Sequence, residues 1–306
     1  MFPRLARPSS TAPSKEKCDN PESDLNLQER RRAAMKPDET EYVLGTDRSE
    51  LERLGLQHQL WVSQAAAAWE RAGFRRGHQI LDVGCGPGFA TLDLAQRVGR
   101  RGQVVAVDIS QRFLMHLEEQ ARARGLTNIS TVQGSVERLA IGESGFDGAY
   151  ARWVLCFVRR PAAVIRQVAR RLKRGGVFVI QDYFHYENLV IAPECEAFRR
   201  VIRAVHQSWQ ARGGDADIGC RLPGLLRSAG FEVREILPLV RLARPGSPLW
   251  DWPNTFFDIH LPALVKTGFI TSAHERAFRR EWAKRSRSPD AFFTSPPMIE
   301  IIAVKK

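Results

Sequence analysis

Residues 80–88 read Ile-Leu-Asp-Val-Gly-Cys-Gly-Pro-Gly, and this segment constrains the fold more than any other in the chain. The apolar pair Ile80-Leu81 ends in Asp82. Glycines follow at 84, 86 and 88, and then Phe89, Leu92, Leu94, Ala95 and Val98 recur at helical spacing. That order dictates a strand, a tight loop and a helix. Glycine serves where the backbone takes positive φ or comes within contact distance of a ligand. The unpaired N–H groups of a helix start then face something electron-rich.

The loop is not a dinucleotide fingerprint. That pattern, G-x-G-x-x-G, would need its last glycine at position 89, where this chain has Phe89; the glycine comes one residue earlier, at Gly88. A second landmark follows. Val104-Val105-Ala106-Val107-Asp108 is a β-branched run closing on a carboxylate. An acidic residue at the end of a second strand can accept both hydroxyls of a ribose as charge-assisted hydrogen bonds. The pair of landmarks resembles motif I and the acidic strand end of class I S-adenosylmethionine-dependent methyltransferases, of the small-molecule, ubiquinone/menaquinone C-methylase-like kind.

That resemblance implies S-adenosyl-L-methionine as cofactor. Asp82, Gly84, Cys85, Gly86 and Gly88 would enclose its amino-acid end, Asp108 would hold the ribose, and Ile109 would pack on the adenine. Where many relatives carry Gly-Asp-Ala after the third strand, this chain has Gly134-Ser135-Val136. Ser135 then replaces the charged partner of the adenine amine, a loss of about 1 kcal/mol, and the backbone of Val136 shares the recognition. Arg152, after the fourth strand, either touches the methionine carboxylate or braces its loop. In enzymes of this type an N-terminal helix lies over the cofactor, which makes Tyr42 and Gln57 contact candidates; the alternative is a packing Tyr42 and a solvated Gln57.

The expected fold is α/β: a doubly wound, mostly parallel seven-stranded sheet of Rossmann-like methyltransferase type, with helical and aromatic cap insertions. Strands are expected at 78–83, 103–108, 128–132, 146–151, 176–182, 231–240 and 298–304, and helices at 89–99, 110–124, 160–173 and 221–229. Such alternation implies right-handed crossovers with helices on both faces. Residues 1–40, rich in Pro, Ser and mixed charge, are expected to be a disordered tail. Residues 41–306 would form the methyltransferase domain, with a core at 75–185. A helix is expected between Tyr42 and Ala72, capped by Ser49 and stopped by Gly73, and Gly175 or Gly176 should cap the helix before strand five.

Cap insertions are expected at about 186–219 and 244–297. The first keeps Phe198, Val201, Ile202, Val205 and Trp209 at helical spacing; the second is rich in Trp and Phe. Both follow strands whose carboxyl ends surround the methyl group, so they are placed to roof it. Most of these aromatics should fill the core of the cap itself.

The chain carries a formal net charge of +12 over 306 residues, which raises nucleic acid as a partner. The arginines, however, come as dispersed pairs (75–76, 100–101, 159–160, 170–171, 199–200, 279–280) rather than one stripe with stacking aromatics. No Asn-Pro-Pro-Tyr-like tetrapeptide follows strand four; Arg152-Trp153-Val154-Leu155 stands there. Nucleic acid is therefore disfavoured. The five cysteines are odd in number and scattered, pointing to a reducing, cytoplasmic setting without disulfides or a zinc site. No apolar run approaches the roughly 20 residues of a membrane helix, so no membrane association is expected. No carboxylate cluster suggests magnesium, and no set of cysteines suggests arsenic chemistry.

The expected function is methyl transfer to a small-molecule acceptor. A nucleic-acid or protein methyltransferase, and a non-catalytic cofactor-binding module, are the alternatives. General-base candidates are His185, Tyr183, Asp182, His206 and His260, with His185, just past strand five, ranked first as the catalytic residue. The acceptor atom and the oligomeric state are left open by the sequence.

Overall fold

The structure, a computed structural model, describes residues 48–306. Tyr42 and the expected tail at 1–40 lie outside the described residues. Five parallel strands form one side of the main sheet: β1 (Gln79–Val83), β2 (Gln103–Asp108), β3 (Ile129–Gln133), β4 (Phe146–Arg152) and β5 (Leu172–Tyr183). Helices α2 (Phe89–Val98), α3 (Gln111–Ala123) and α4 (Pro161–Arg171) connect them. After α6 (Leu222–Ser228) come β7 (Phe231–Leu239) and β10 (Met298–Lys305). The strand order is β3-β2-β1-β4-β5-β10-β7, a seven-stranded sheet in which β10 runs antiparallel to both β5 and β7.

The strands form where the sequence leads one to expect them, because both sheet faces are covered. Leu81, Val104, Ala106, Ala149, Phe178, Ile180 and Ile301 are fully buried, the near-continuous apolar pattern of a doubly covered sheet. Register then aligns the functional ends. Asp82 pairs with Ala106 on one side and Tyr150 on the other, Asp108 with Gln133, and Arg152 with Gln181. Asp82, Asp108 and Arg152 thus come to one edge of the sheet, around the point between β1 and β4 where strand order reverses. Ligands bind at that point in such sheets.

One boundary differs from the expectation. Helix α4 ends at Arg171 with Leu172 already extended, so neither Gly175 nor Gly176 caps it. Residues 172–175 instead lead β5, with Gly175 at φ 79. The reason is local pairing: Lys173 reaches the Asp147 carboxylate, and Phe146 pairs with Leu172 across the strand irregularity.

Helix α1 (Arg48–Arg71) corrects the sequence reading in its first half. Ser49 lies inside the helix, not at its cap. Leu51, Leu54, Leu56 and Leu60 are only half-buried, whereas Glu50, Arg53, Gln57 and His58 are buried. Arg53 donates to both Glu50 oxygens at 2.7 and 2.6 Å and to Gln57 Oε1 at 2.9 Å, so the charges enter the interior already paired. Further along, Trp61, Ala65, Ala68 and Trp69 form a buried apolar face.

The two insertions converge into a cap. Strands β6 (Ile191–Ala192), β8 (Leu242–Ala243) and β9 (Phe292–Thr294) make a small antiparallel sheet. Helices α5 (Glu196–Ala211), α7 (Pro248–Lys266) and α8 (Ser272–Arg285) pack beside it. Trp282 stacks on Trp250 at 4.9 Å and on Phe198 at 6.1 Å, and Phe257 meets Phe278 edge-on at 4.6 Å. Each fully buried ring of this kind contributes about 2–3 kcal/mol through burial. Trp61 of α1 touches both Trp153 of the core and Trp252 of the cap, at 6.0 and 5.9 Å, and so ties the roof to the sheet.

Candidate active site

The crevice beyond the ends of β1, β2 and β4 opens into a cavity of about 1180 Å³ beneath the cap. Glycine geometry shapes its floor. Gly84, Gly86 and Gly88 all have positive φ (68, 55 and 83). A Cβ on Gly84 would meet Val154 at 2.7 Å, and one on Gly88 would meet Leu117 at 2.4 Å. Around a Cβ on Gly86, nothing lies within 4 Å, so this residue faces open space. The Gly84 and Cys85 amides both donate to the Val107 carbonyl, at 2.8 and 3.0 Å, fastening the loop to β2.

Asp108 stands at the lip. Its Oδ2 accepts from the Gly86 amide at 2.8 Å and its Oδ1 from the Ser110 amide at 2.9 Å. A carboxylate offers about four acceptor positions, so each oxygen keeps capacity for a ligand. Burial raises its pKa above the usual carboxylate value. Asp82 lies deeper, 3 % exposed, and accepts from Thr91 Oγ1 at 2.6 Å; burial pushes its pKa up to about 6. Cys85 donates its thiol to the Gly86 carbonyl, and burial raises its pKa far above the ordinary thiol value.

Arg152 provides the charge opposite these acids. Its guanidinium lies 4.9 Å over the Trp153 ring, and Nη2 is 2.9 Å from His58 Nδ1. Nη1 is buried and without a hydrogen-bond partner among the described residues. An orphaned buried donor on a cation implies an anionic partner.

Asp82, Gly84, Cys85, Gly86, Asp108, Ile109, Ser135, Val136, Arg152 and Gln57 all line this one cavity. Gly88 sits behind it, packed on Leu117. Ile109 is 38 % exposed on the rim. Ser135 Oγ accepts from the Glu137 amide at 3.3 Å, capping a short helical turn. The Oε1 of Gln57 is committed to Arg53 and to Trp252 Nε1, at 2.9 and 3.1 Å, so its acceptor braces the roof.

His185 does not join them. It is exposed, holds a left-handed φ of 48, and its Nε2 lies 3.7 Å from Cys220 Sγ, outside the cavity lining. The chain turns sharply after β5 and carries the imidazole away from the crevice. Of the other base candidates, Asp182 is fully buried and receives the Leu155 and Tyr183 amides at 2.8 and 2.9 Å. His206 bonds Glu187 at 2.6 Å, and His260, behind the aromatic wall, has its pKa lowered to about 4 by burial. Tyr183 lines the cavity, as do Tyr186, Trp209, Trp252, Trp153, Phe256 and Phe293.

Sequence reasoning missed His58, Asp93 and the strained Trp153, whose φ is 54. Trp153 gives no local signal. His58 does, in retrospect: Glu50, Arg53, Gln57 and Trp61 recur at helical spacing and mark one buried polar face. Among the described residues no group of three or more His, Cys, Asp or Glu side chains is placed to hold a metal ion. Likewise, no described helix is long and apolar enough to cross a membrane.

These features fit S-adenosylmethionine: a carboxylate with spare acceptors for the ribose, a side-chain-free patch at Gly86, and an arginine nearby with one unpartnered nitrogen. The sheet order is that of the class I S-adenosylmethionine-dependent methyltransferase fold. Residues 81–180 match the family described as the methyltransferase domain.

A ubiquinone/menaquinone biosynthesis C-methyltransferase UbiE from Pseudoalteromonas translucida is 32% identical over 136 residues, covering 44% of this chain and 53% of the relative. An uncharacterized 37.1 kDa protein in transposon TN4556 of Streptomyces fradiae is 32% identical over 173 residues, covering 56% and 48%. The chain thus spans about half the length of these relatives. A solved geranyl diphosphate methyltransferase, in complex with GPP and sinefungin, shares the fold at TM-score 0.52 and 18% identity, covering 81% of this chain and 80% of that one.

Proposed function

We propose that this chain transfers the methyl group of S-adenosylmethionine to a small, planar, largely apolar acceptor held under the cap. The observation that carries this reading is the continuity of the cavity. Single-ligand pockets usually measure about 300–1000 Å³, and 1180 Å³ leaves room for an acceptor beside the cofactor. The part beyond the glycine loop is walled by Trp153, Tyr183, Tyr186, Trp209, Trp252 and Phe256, surfaces suited to a flat ring. Relatives named for ubiquinone/menaquinone biosynthesis support a quinone-like ring.

In this reading Asp108 and the turn at Ser135 and Val136 hold the nucleoside, with Ile109 against the adenine. Arg152 receives the methionine carboxylate beside Gly84, Cys85 and Gly86. The bound cofactor supplies a methyl carbon on a good sulfonium leaving group. The protein then has to align the acceptor with that methyl and exclude water. Alignment alone can contribute up to about 7–11 kcal/mol.

Tyr183 and Tyr186 both line the cavity. Burial raises both phenol pKa values, which keeps them protonated at neutral pH. They act as donors that orient an oxygen on the acceptor, not as bases. The domain is read as residues 41–306, with the core at 75–185 and the cap as its roof, working in the cytoplasm.

The test is a labelled-methyl assay on metabolite extract. Label in a low-molecular-mass, solvent-extractable product, lost in Asp108→Ala, is the expected result. Label that precipitates with protein or nucleic acid, or none transferred at all, would overturn the proposal.

A further inference from the structure

His58 is held between two charges. Its Nε2 lies 2.9 Å from Asp93 Oδ2 on α2, and its Nδ1 lies 2.9 Å from Arg152 Nη2 at the end of β4. Phe89 stacks on the imidazole at 5.9 Å and fixes the plane of the ring. A guanidinium can only donate. Nδ1 must therefore accept, which makes His58 neutral with its proton on Nε2, pointing at Asp93. The carboxylate on α2 selects the tautomer that the arginine on β4 requires. Arg152, with Nη2 tethered this way, lines the cavity, while its Nη1 is buried and unpartnered among the described residues.

We propose that the Asp93–His58 pair is a positioning device for Arg152, which makes binding of the cofactor's carboxylate depend on a neutral His58. Protonation of Nδ1 sets an N–H against the guanidinium and breaks the tether. The guanidinium then loses the orientation that serves an amino-acid carboxylate. The charged groups facing His58 are Asp93 on α2 and Arg152 on β4. Asp82 at the end of β1 lies beyond Arg152, and the paired Glu50 and Arg53 occupy the preceding turns of α1. His116 of α3 sits on the other side of Phe89, at 5.9 Å from it.

The inference rests on the cofactor site proposed above, and the experiment separates the two. S-adenosylhomocysteine affinity is measured by calorimetry at pH 8.5 for the wild type, His58→Gln and His58→Ala. Glutamine keeps the pattern of neutral histidine, an acceptor for Arg152 and a donor for Asp93. At pH 8.5 His58→Gln should bind within about threefold of wild type, and His58→Ala about tenfold more weakly, the loss of one charge-assisted hydrogen bond. A folded His58→Ala that binds like wild type, or a folded His58→Gln that binds as weakly as His58→Ala, overturns the positioning role. Failure of the wild type to bind overturns the cofactor site itself.

Discussion

The carboxylate of Asp108 offers the most direct quantitative test. Its two oxygens each accept one backbone amide, from Gly86 at 2.8 Å and Ser110 at 2.9 Å. Of about four acceptor positions on a carboxylate, two remain, enough for the two hydroxyls of a ribose. Asp108→Ala removes both and also leaves the two amides without their partner. Hydrogen bonds to a charged group are worth about 1.5–3 kcal/mol, so S-adenosylhomocysteine should bind roughly 10- to 150-fold more weakly. Asp108→Asn keeps the shape but has one acceptor oxygen where the loop uses two. Its NH2 group must face one of the two amide donors, so the expected affinity lies between Ala and wild type. Calorimetry at pH 8 gives the affinities, and ligand-free thermal melts show that the variants fold. An Asp108→Ala protein that is folded and binds within about threefold of wild type would refute the ribose assignment.

Gly88→Ala combines a φ of 83 with a Cβ that would sit 2.4 Å from Leu117, and should cost at least about 2 kcal/mol of stability in denaturant melts. Gly86→Ala carries only the backbone strain, so it should melt above Gly88→Ala while losing more cofactor affinity, because its methyl enters the cavity. For Asp82 the folded pKa is raised from 3.8 to about 6, so the protonated form favours folding. That contribution is full below about pH 4 and lost as pH rises through 6, by up to about 3 kcal/mol. Wild type should therefore lose stability relative to Asp82→Asn between pH 4.5 and 7.5; parallel urea curves at the two pH values would contradict this. His185→Ala, altering an exposed residue outside the cavity, should leave S-adenosylhomocysteine affinity within about twofold, as its surface position predicts; a larger loss would return His185 to the site.

The sequence alone determined the sheet. Its strands are long apolar runs punctuated by glycine, and such runs have few other ways to bury both faces. Motif I and Asp108 were legible for the same reason: they sit at strand ends, and the βαβ order brings strand ends to one edge. Only the tertiary structure decided what meets that edge from elsewhere in the chain. His58 reaches Arg152 across 94 residues and Trp252 reaches Gln57 across 195. Such pairings depend on helix rotation and on how two insertions fold over the crevice, neither of which leaves a local pattern. His185 marks the limit from the other side. Its place after β5 puts it near the crevice by counting, but one left-handed residue is enough to turn a side chain away from it.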